Sequence, residues 1–355
     1  MESPLCTTHS HIEKREPLPY PHGWYAVCLS KDVKRGAVLP IPFMGGEVVV
    51  YRTESGLVRV INPGCPHLGT HLGHGGKVVG EHLVCPFHKL KYSPSGECAL
   101  ASIKGGQAGL PRLTHWLVRE VNHAIFVWFD STGKGPRWEL PEFADDGYFE
   151  PLINRAVSTG YVHDVAENQA DIAHFQPVHR VRPVAYKVDF NGPCLEGHVE
   201  CRIGKYPFNF ITKYFGLGYL VGDLEFLSFG LTARQYTMIT PEDQFKYKIT
   251  SIDMLRFSWL QRWPKPLRYV VYKMFGFIFK KWYVFVNKGD LRIWDKRYFV
   301  RHPKVTSADG PIHDFRKWSA QFYPPGAIPP PVPDTKPVSP PSATGDLKQS
   351  GLITT

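Results

Sequence analysis

Long apolar runs are missing from this chain of 355 residues. Nothing reaches the ~18 uninterrupted apolar residues of a membrane-spanning helix. The opening stretch, MESPLCTTHSHIEKREPLPYPHG, lacks the apolar core of a secretory signal. Cysteine is scarce, with 7 scattered residues, which excludes a disulfide framework and leads us to expect reduced thiols in a cytoplasmic setting. Internal repeats are absent. The net charge is +10, yet no basic helix, zinc finger or RNP-like strand accompanies it, so nucleic acid is not an expected partner. What is there is ordinary globular composition, 43% hydrophobic and 21% charged. The length suffices for two domains with separate cores.

The stretch from Cys65 to Cys98 carries the strongest signal. It contains Cys65-x-His67 and, further on, Cys85-x-x-His88. Two thiolates and two imidazoles on paired loops suit a two-iron, two-sulfide cluster, one iron taking both Cys and the other both His. Neutral imidazoles make such a cluster less negative and raise its potential to that of a one-electron relay. Zinc is the rival for a Cys2His2 set. Its ligands, however, usually segregate as a Cys pair followed by a His pair, whereas each pair here mixes the two. Pro66 and Pro86 stiffen both loops. Gly69, Gly73, Gly75 and Gly76 permit close backbone approach to the sulfides. With these residues the segment resembles a Rieske cluster-binding domain. It departs at Lys89-Leu90, where many Rieske oxygenases carry Gly-Trp.

Along the chain, residues 1–17 read as a flexible tail. Residues 18–148 read as an all-β Rieske domain, with short strands from Trp24, a hairpin turning at Glu54-Ser55-Gly56 and a turn at Pro94-Ser95-Gly96. Residues 149–323 form a second, catalytic unit, and 324–355 a Pro-rich disordered tail. The second unit opens with HDVAENQADIAHFQPVHR. A helix is expected over Val165–Phe175, interrupted at Pro177, with Asp171 and His174 on one face and His179 past the break. A β-rich part follows over 186–260. Then PKPLRYVVYKMFGFIFKKWYVFVNKGDLRIWDKRYFV reads as one or two helices crossing the core, its lysines reaching outward. A membrane surface is the less favoured partner for it.

Two His and a distant carboxylate can form a facial triad that leaves one face of Fe(II) open for dioxygen and substrate. His174 and His179 are the candidate imidazoles. Asp290, entered after Gly289, is the preferred carboxylate because an early helical position favours negative charge. Asp295 is the alternative. Asp171, one turn before His174, can accept that ring's second N–H and could serve a cluster His in the same way, linking the two centres.

Glu167-Asn168-x-x-Asp171-x-x-His174-x4-His179 and Asp290-x-x-Ile293-Trp294 resemble the catalytic domain of Rieske oxygenases. The likeness is greatest to the single-subunit, steroid-acting group, the 3-ketosteroid 9α-hydroxylase oxygenases and cholesterol 7-desaturases. The stretch Asp309-Gly310-Pro311 through Tyr323 is similar to that group too. Aminopyrrolnitrin oxygenase shares the cluster motif and the Pro-Val-His run at 177–179, which keeps arylamine oxygenation open. A bare Rieske electron carrier is a further alternative.

The resemblance implies an α+β architecture: the Rieske [2Fe-2S] domain, then a helix-grip domain with an antiparallel sheet. It also implies a homotrimer and mononuclear Fe(II) at the mouth of an apolar cavity. Dioxygen would be the co-substrate, and electrons would come from NAD(P)H through a ferredoxin reductase or ferredoxin-type donor. The basic charge would steer such an acidic donor. Hydroxylation or desaturation of a bulky apolar molecule is the implied reaction. Phe208, Phe210, Tyr214, Phe215, Tyr219, Phe226 and Phe229 are the aromatic candidates for its pocket.

Overall fold

The computed structural model describes residues 15–100, 112–306 and 308–327. Residues 1–14 and 328–355, most of the two expected tails, lie outside that description. Arg15 and Glu16, assigned to the tail from composition, are tied down instead. Glu16 pairs with Arg301 at 2.5 Å, and its carbonyl accepts from the Tyr161 hydroxyl at 2.7 Å. Their partners lie far along the chain, so a local reading sees only polar residues.

Among the described residues, the first half is built from ten short strands: β1 (Gly23–Leu29), β2 (Val38–Phe43), β3 (Gly46–Arg52), β4 (Val58–Ile61), β5 (Lys77–Val79), β6 (His82–Val84), β7 (Lys91–Tyr92), β8 (Cys98–Leu100), β9 (Val118–Val121) and β10 (Ala124–Phe129). They form three antiparallel sheets, β2-β3-β4, β1-β10-β9 and β5-β6-β7-β8. The expected hairpin is the β3–β4 pair. The second half runs β11 (Leu152–Thr159), α1 (Val162–Glu167), α2 (Phe175–His179), β12 (Arg182–Asn191), β13 (Cys194–Ile203), β14 (Tyr206–Phe215), β15 (Tyr219–Phe226), β16 (Leu231–Asp243), β17 (Lys246–Phe257), α3 (Lys265–Trp294) and α4 (Ile312–Ser319). Its strands form one antiparallel sheet of seven, ordered β11-β17-β16-β15-β14-β13-β12. The α+β class is as expected.

Both faces of the large sheet are covered, and strand alternation decides what each face meets. Along β16, Tyr236 and Met238 join Trp24, Phe126 and Trp128 of the first half in one buried cluster. The intervening Gln235, Thr237 and Ile239 turn the other way, towards the helices. The aromatic candidates divide by the same rule. Phe208, Phe210 and Tyr214, at even spacings along β14, face a central cavity. Phe215 and Tyr219 pack on the opposite side against the first half. Phe226 stacks on Phe208 at 4.9 Å, and Phe229 is exposed.

Three helical expectations need correction. The helix expected over Val165–Phe175 is two short helices, α1 and α2, with the chain turning between them. The break therefore precedes Pro177, which sits in the first turn of α2, where no backbone N–H is required of it. His179 is the last residue of that same helix. The long apolar segment is one continuous helix, α3, with much of its first half exposed rather than crossing the core. Finally, Gly289 does not precede a helix. It lies within α3, where an added Cβ would come 2.8 Å from Val178 Cγ1. A side chain there would push α2 off α3.

A buried ion network fastens these helices together. Arg316 of α4 donates to both carboxylate oxygens of Glu167 on α1, at 2.6 and 3.3 Å. Arg297 also bonds Glu167 and lies 3.6 Å from Asp164. Burial alone would raise Glu167, but His163 and the two arginines hold it well below the usual carboxylate range.

Candidate functional site

The two cluster-type loops are near copies. In the first, the Gly69 N–H returns to the Cys65 carbonyl at 2.8 Å and the Cys65 N–H to Thr70 at 2.8 Å. In the second, Lys89 returns to Cys85 at 3.1 Å and Cys85 to Leu90 at 2.9 Å. Each loop needs a left-handed residue at its fifth position. Gly69 supplies φ 76°, and Lys89 supplies φ 58° despite its side chain. Leu90 then drops into a core of Val49, Tyr51, Ile61, Leu72 and Leu83 around both cysteines.

The donors converge as a Rieske cluster requires. Cys65 and Cys85 are buried, while the imidazoles of His67 and His88 stand 4.7 Å apart at the tip. The Tyr92 hydroxyl lies 3.1 Å from Cys65 Sγ. Burial raises the Cys85 thiol, and backbone N–H groups of Phe87 and His88 oppose this by bonding its sulfur. These donors suit a thiolate or sulfide ligand. The His67 Nδ1 atom is buried without a hydrogen-bond partner, an atom with a lone pair to give. The donor set therefore fits a two-iron, two-sulfide group.

The second constellation forms where α2 meets the end of α3. One ligand-type atom from each of His174, His179 and Asp290 lies within 4.8 Å of the others. His179 Nε2 is 3.4 Å from Asp290 Oδ1, and the two imidazoles are 5.0 Å apart. His174 Nδ1 bonds the Asp171 carbonyl at 2.5 Å, which leaves Nε2 as the lone-pair nitrogen facing Asp290 and His179. The Asp171 carboxylate accepts the His174 backbone N–H at 3.3 Å and is about one-third exposed.

Without a cation this arrangement is electrostatically frustrated. Burial pushes Asp290 up to about 7, and the C-terminal end of α3 gives a carboxylate no help. Burial and the neighbouring His174 push His179 down to about 4. A divalent cation relieves both, so the donor set fits a 2-His-1-carboxylate metal. Asp295 is not part of it. Its carboxylate accepts from Thr159 outside the cavity, and it caps α3.

Asn168 was not singled out as a site residue by sequence reasoning, although the quoted motif contains it. Its amide lies 3.1 Å from His174 Nε2, and the same side chain offsets part of the burial that raises Asp290.

The triad opens onto a cavity whose lining is chiefly apolar, including Phe175, Phe208, Phe210, Leu224, Phe279 and Trp282. Gln169 and Thr237 also line it, although Gln169 Nε2 and Thr237 Oγ1 are themselves buried away from the open space and lack a protein partner.

Comparison with known proteins agrees with this geometry. Residues 127–323 match the family model of the 3-Ketosteroid 9alpha-hydroxylase C-terminal domain, and residues 23–109 the Rieske [2Fe-2S] domain. The chain is a Rieske oxygenase of that family. Like its relatives, this Rieske oxygenase is an oxidoreductase. It is 28% identical to a cholesterol 7-desaturase of Bombyx mori, across 86% of this chain and 70% of that one. It is 25% identical to the 3-ketosteroid-9-alpha-monooxygenase oxygenase component of Mycobacterium tuberculosis, across 86% and 83%. Among solved structures, dicamba monooxygenase bound to dicamba shares the fold of this oxygenase with TM-score 0.60 and 16% identity, across 87% of this chain and 98% of that one. The QL mutant of Pseudomonas putida CBB5 NdmA with theobromine does so with TM-score 0.66 and 17% identity, across 83% and 88%.

Proposed function

We propose that this oxygenase is the terminal component of a multi-component system that hydroxylates or desaturates a steroid or similar bulky lipid. The observation that carries the reading is the His174–His179–Asp290 triad at the mouth of an apolar cavity, in a chain that also bears a Rieske domain. Two relatives are named for oxidation of cholesterol and of a 3-ketosteroid. The cavity suits that chemistry. Its apolar walls match a rigid hydrocarbon skeleton.

His174, His179 and Asp290 would hold Fe(II), and Cys65, His67, Cys85 and His88 the [2Fe-2S] cluster. Together these groups would supply single electrons and activate dioxygen. The protein's own residues prepare the ground. Asp171 fixes the His174 tautomer through its backbone carbonyl, and its partly exposed carboxylate can still accept an imidazole N–H from a neighbouring subunit's cluster. Such a link requires a second subunit, and a homotrimer is the arrangement we favour. Asn168 holds the His174 ring in place. The aromatic walls exclude water, so an activated oxidant meets a C–H bond and not solvent. Leu68 and Phe87, exposed beside the two cluster imidazoles, offer an apolar contact for that neighbouring subunit, and the reductase or ferredoxin that delivers electrons would approach from another side.

The test is turnover with a surrogate reductase and NAD(P)H on a panel of sterols and 3-ketosteroids, with arylamines alongside. Oxidised steroid is expected. Products from the arylamines alone would reject the substrate reading.

A further inference from the structure

We infer that the outer face of the first half of α3, with the adjoining turns at 227–229 and 259–263, is a docking surface for an anionic lipid bilayer. Val270, Met274, Phe277 and Ile278 recur at helical spacing and point to solvent, with Val270 65% and Phe277 61% exposed. Tyr272 and Gly276, on the opposite face, are buried against the sheet. The ridge continues beyond the helix. Ile278 and Phe229 line one apolar hollow. The Trp259 indole donates to the Phe229 carbonyl at 3.1 Å, and Trp259 meets Trp263 at 5.5 Å. Leu227, at the tip of its turn, is 71% exposed.

Charge identifies the occupant. Between Asp253 and Asp290 the sequence contains no Asp or Glu, while Lys265, Arg268, Lys273, Lys280 and Lys281 fall on or beside the ridge. Lys273 also meets Glu150 at 3.7 Å, and the Lys281 ammonium lies 4.4 Å from the centre of the Phe277 ring. An apolar ridge flanked by tryptophans and by cations able to snorkel matches the boundary between acyl chains and anionic headgroups. A second copy presenting the same face would set positive charge against positive charge. The hollow beneath the ridge shares Phe279 and Trp282 with the catalytic cavity. Docking would therefore place the approach to the triad against the acyl region, and this last consequence alone rests on the proposed substrate.

The reconstituted full-length protein should pellet with vesicles of phosphatidylcholine containing about one-quarter phosphatidylserine and much less with phosphatidylcholine alone. Raising salt to about 0.5 M should weaken the binding. Brominated acyl chains should quench its tryptophan fluorescence. Met274→Glu and Phe277→Glu should each lower partitioning about tenfold, since each removes an apolar anchor and adds a repelled charge. Cluster absorbance and iron content should not change in either. Equal recovery in the supernatant with both vesicles, or pelleting that ignores both substitutions, overturns the proposal. So does an oligomer in analytical ultracentrifugation that Phe277→Glu dissociates, because the face would then belong to a second copy. Vesicle binding without steroid turnover would reject the substrate reading and leave the docking surface standing.

Discussion

Asp171 contributes a backbone carbonyl to one imidazole and still keeps its carboxylate partly in solvent. Asp171→Asn preserves the carbonyl and the shape but weakens the acceptor. We expect iron content and cluster absorbance to stay normal while turnover falls about 10–100-fold; a normal rate would exclude the electron link. Glu167 shows a different use of a buried carboxylate. Its charge is matched by Arg316 and Arg297, so Glu167→Gln should cost about 3–5 kcal/mol by leaving the buried Arg316 without its carboxylate. The pH dependence has a definite sign. Because the folded state holds Glu167 below its ordinary 4.5, its contribution is present above that pH and is lost progressively as the medium becomes more acidic. Melting temperatures from pH 7 down to about 3 should therefore fall less steeply in the Gln variant than in the natural chain.

At the scale of elements, the meeting of α2 and α3 decides whether a metal can be held. Gly289 lets Val178 approach, and so lets His179 reach Asp290. Gly289→Ala should displace α2, reduce mononuclear iron affinity by about tenfold or more and destabilise the fold by about 1–3 kcal/mol. The cluster spectrum should be untouched, which separates this from general unfolding. The same elements mark where sequence reading succeeds and where it stops. Cys65, His67, Cys85 and His88 were legible because their spacing is local and few chemistries use it. His174 and His179 were legible as a pair, but the helix joining them was misplaced because Pro177 signals a break only when it is read without knowing which turn it occupies. Gly289 was taken for a helix entrance because a glycine's close contact is invisible in one dimension. The bond from Arg316 to Glu167 spans 149 positions and left no local trace. Phe215 and Tyr219 were counted with the pocket because composition does not say which side of a strand faces it.

For the whole molecule, metal counting discriminates most sharply. A terminal oxygenase should carry about three irons per chain and a bare electron carrier about two. His174→Ala should bring the first figure down to the second without bleaching the cluster. The order of the chain also explains what composition could not show about α3. Its apolar residues read as core because burial is their usual fate, yet half of them have no sheet to lie against.

A single unbroken helix runs from Lys265 to Trp294, a rod of about 45 Å. It bears its exposed ridge towards one end and the Asp290 carboxylate near the other. One unbroken run of helical backbone therefore joins the two and fixes their spacing along its length.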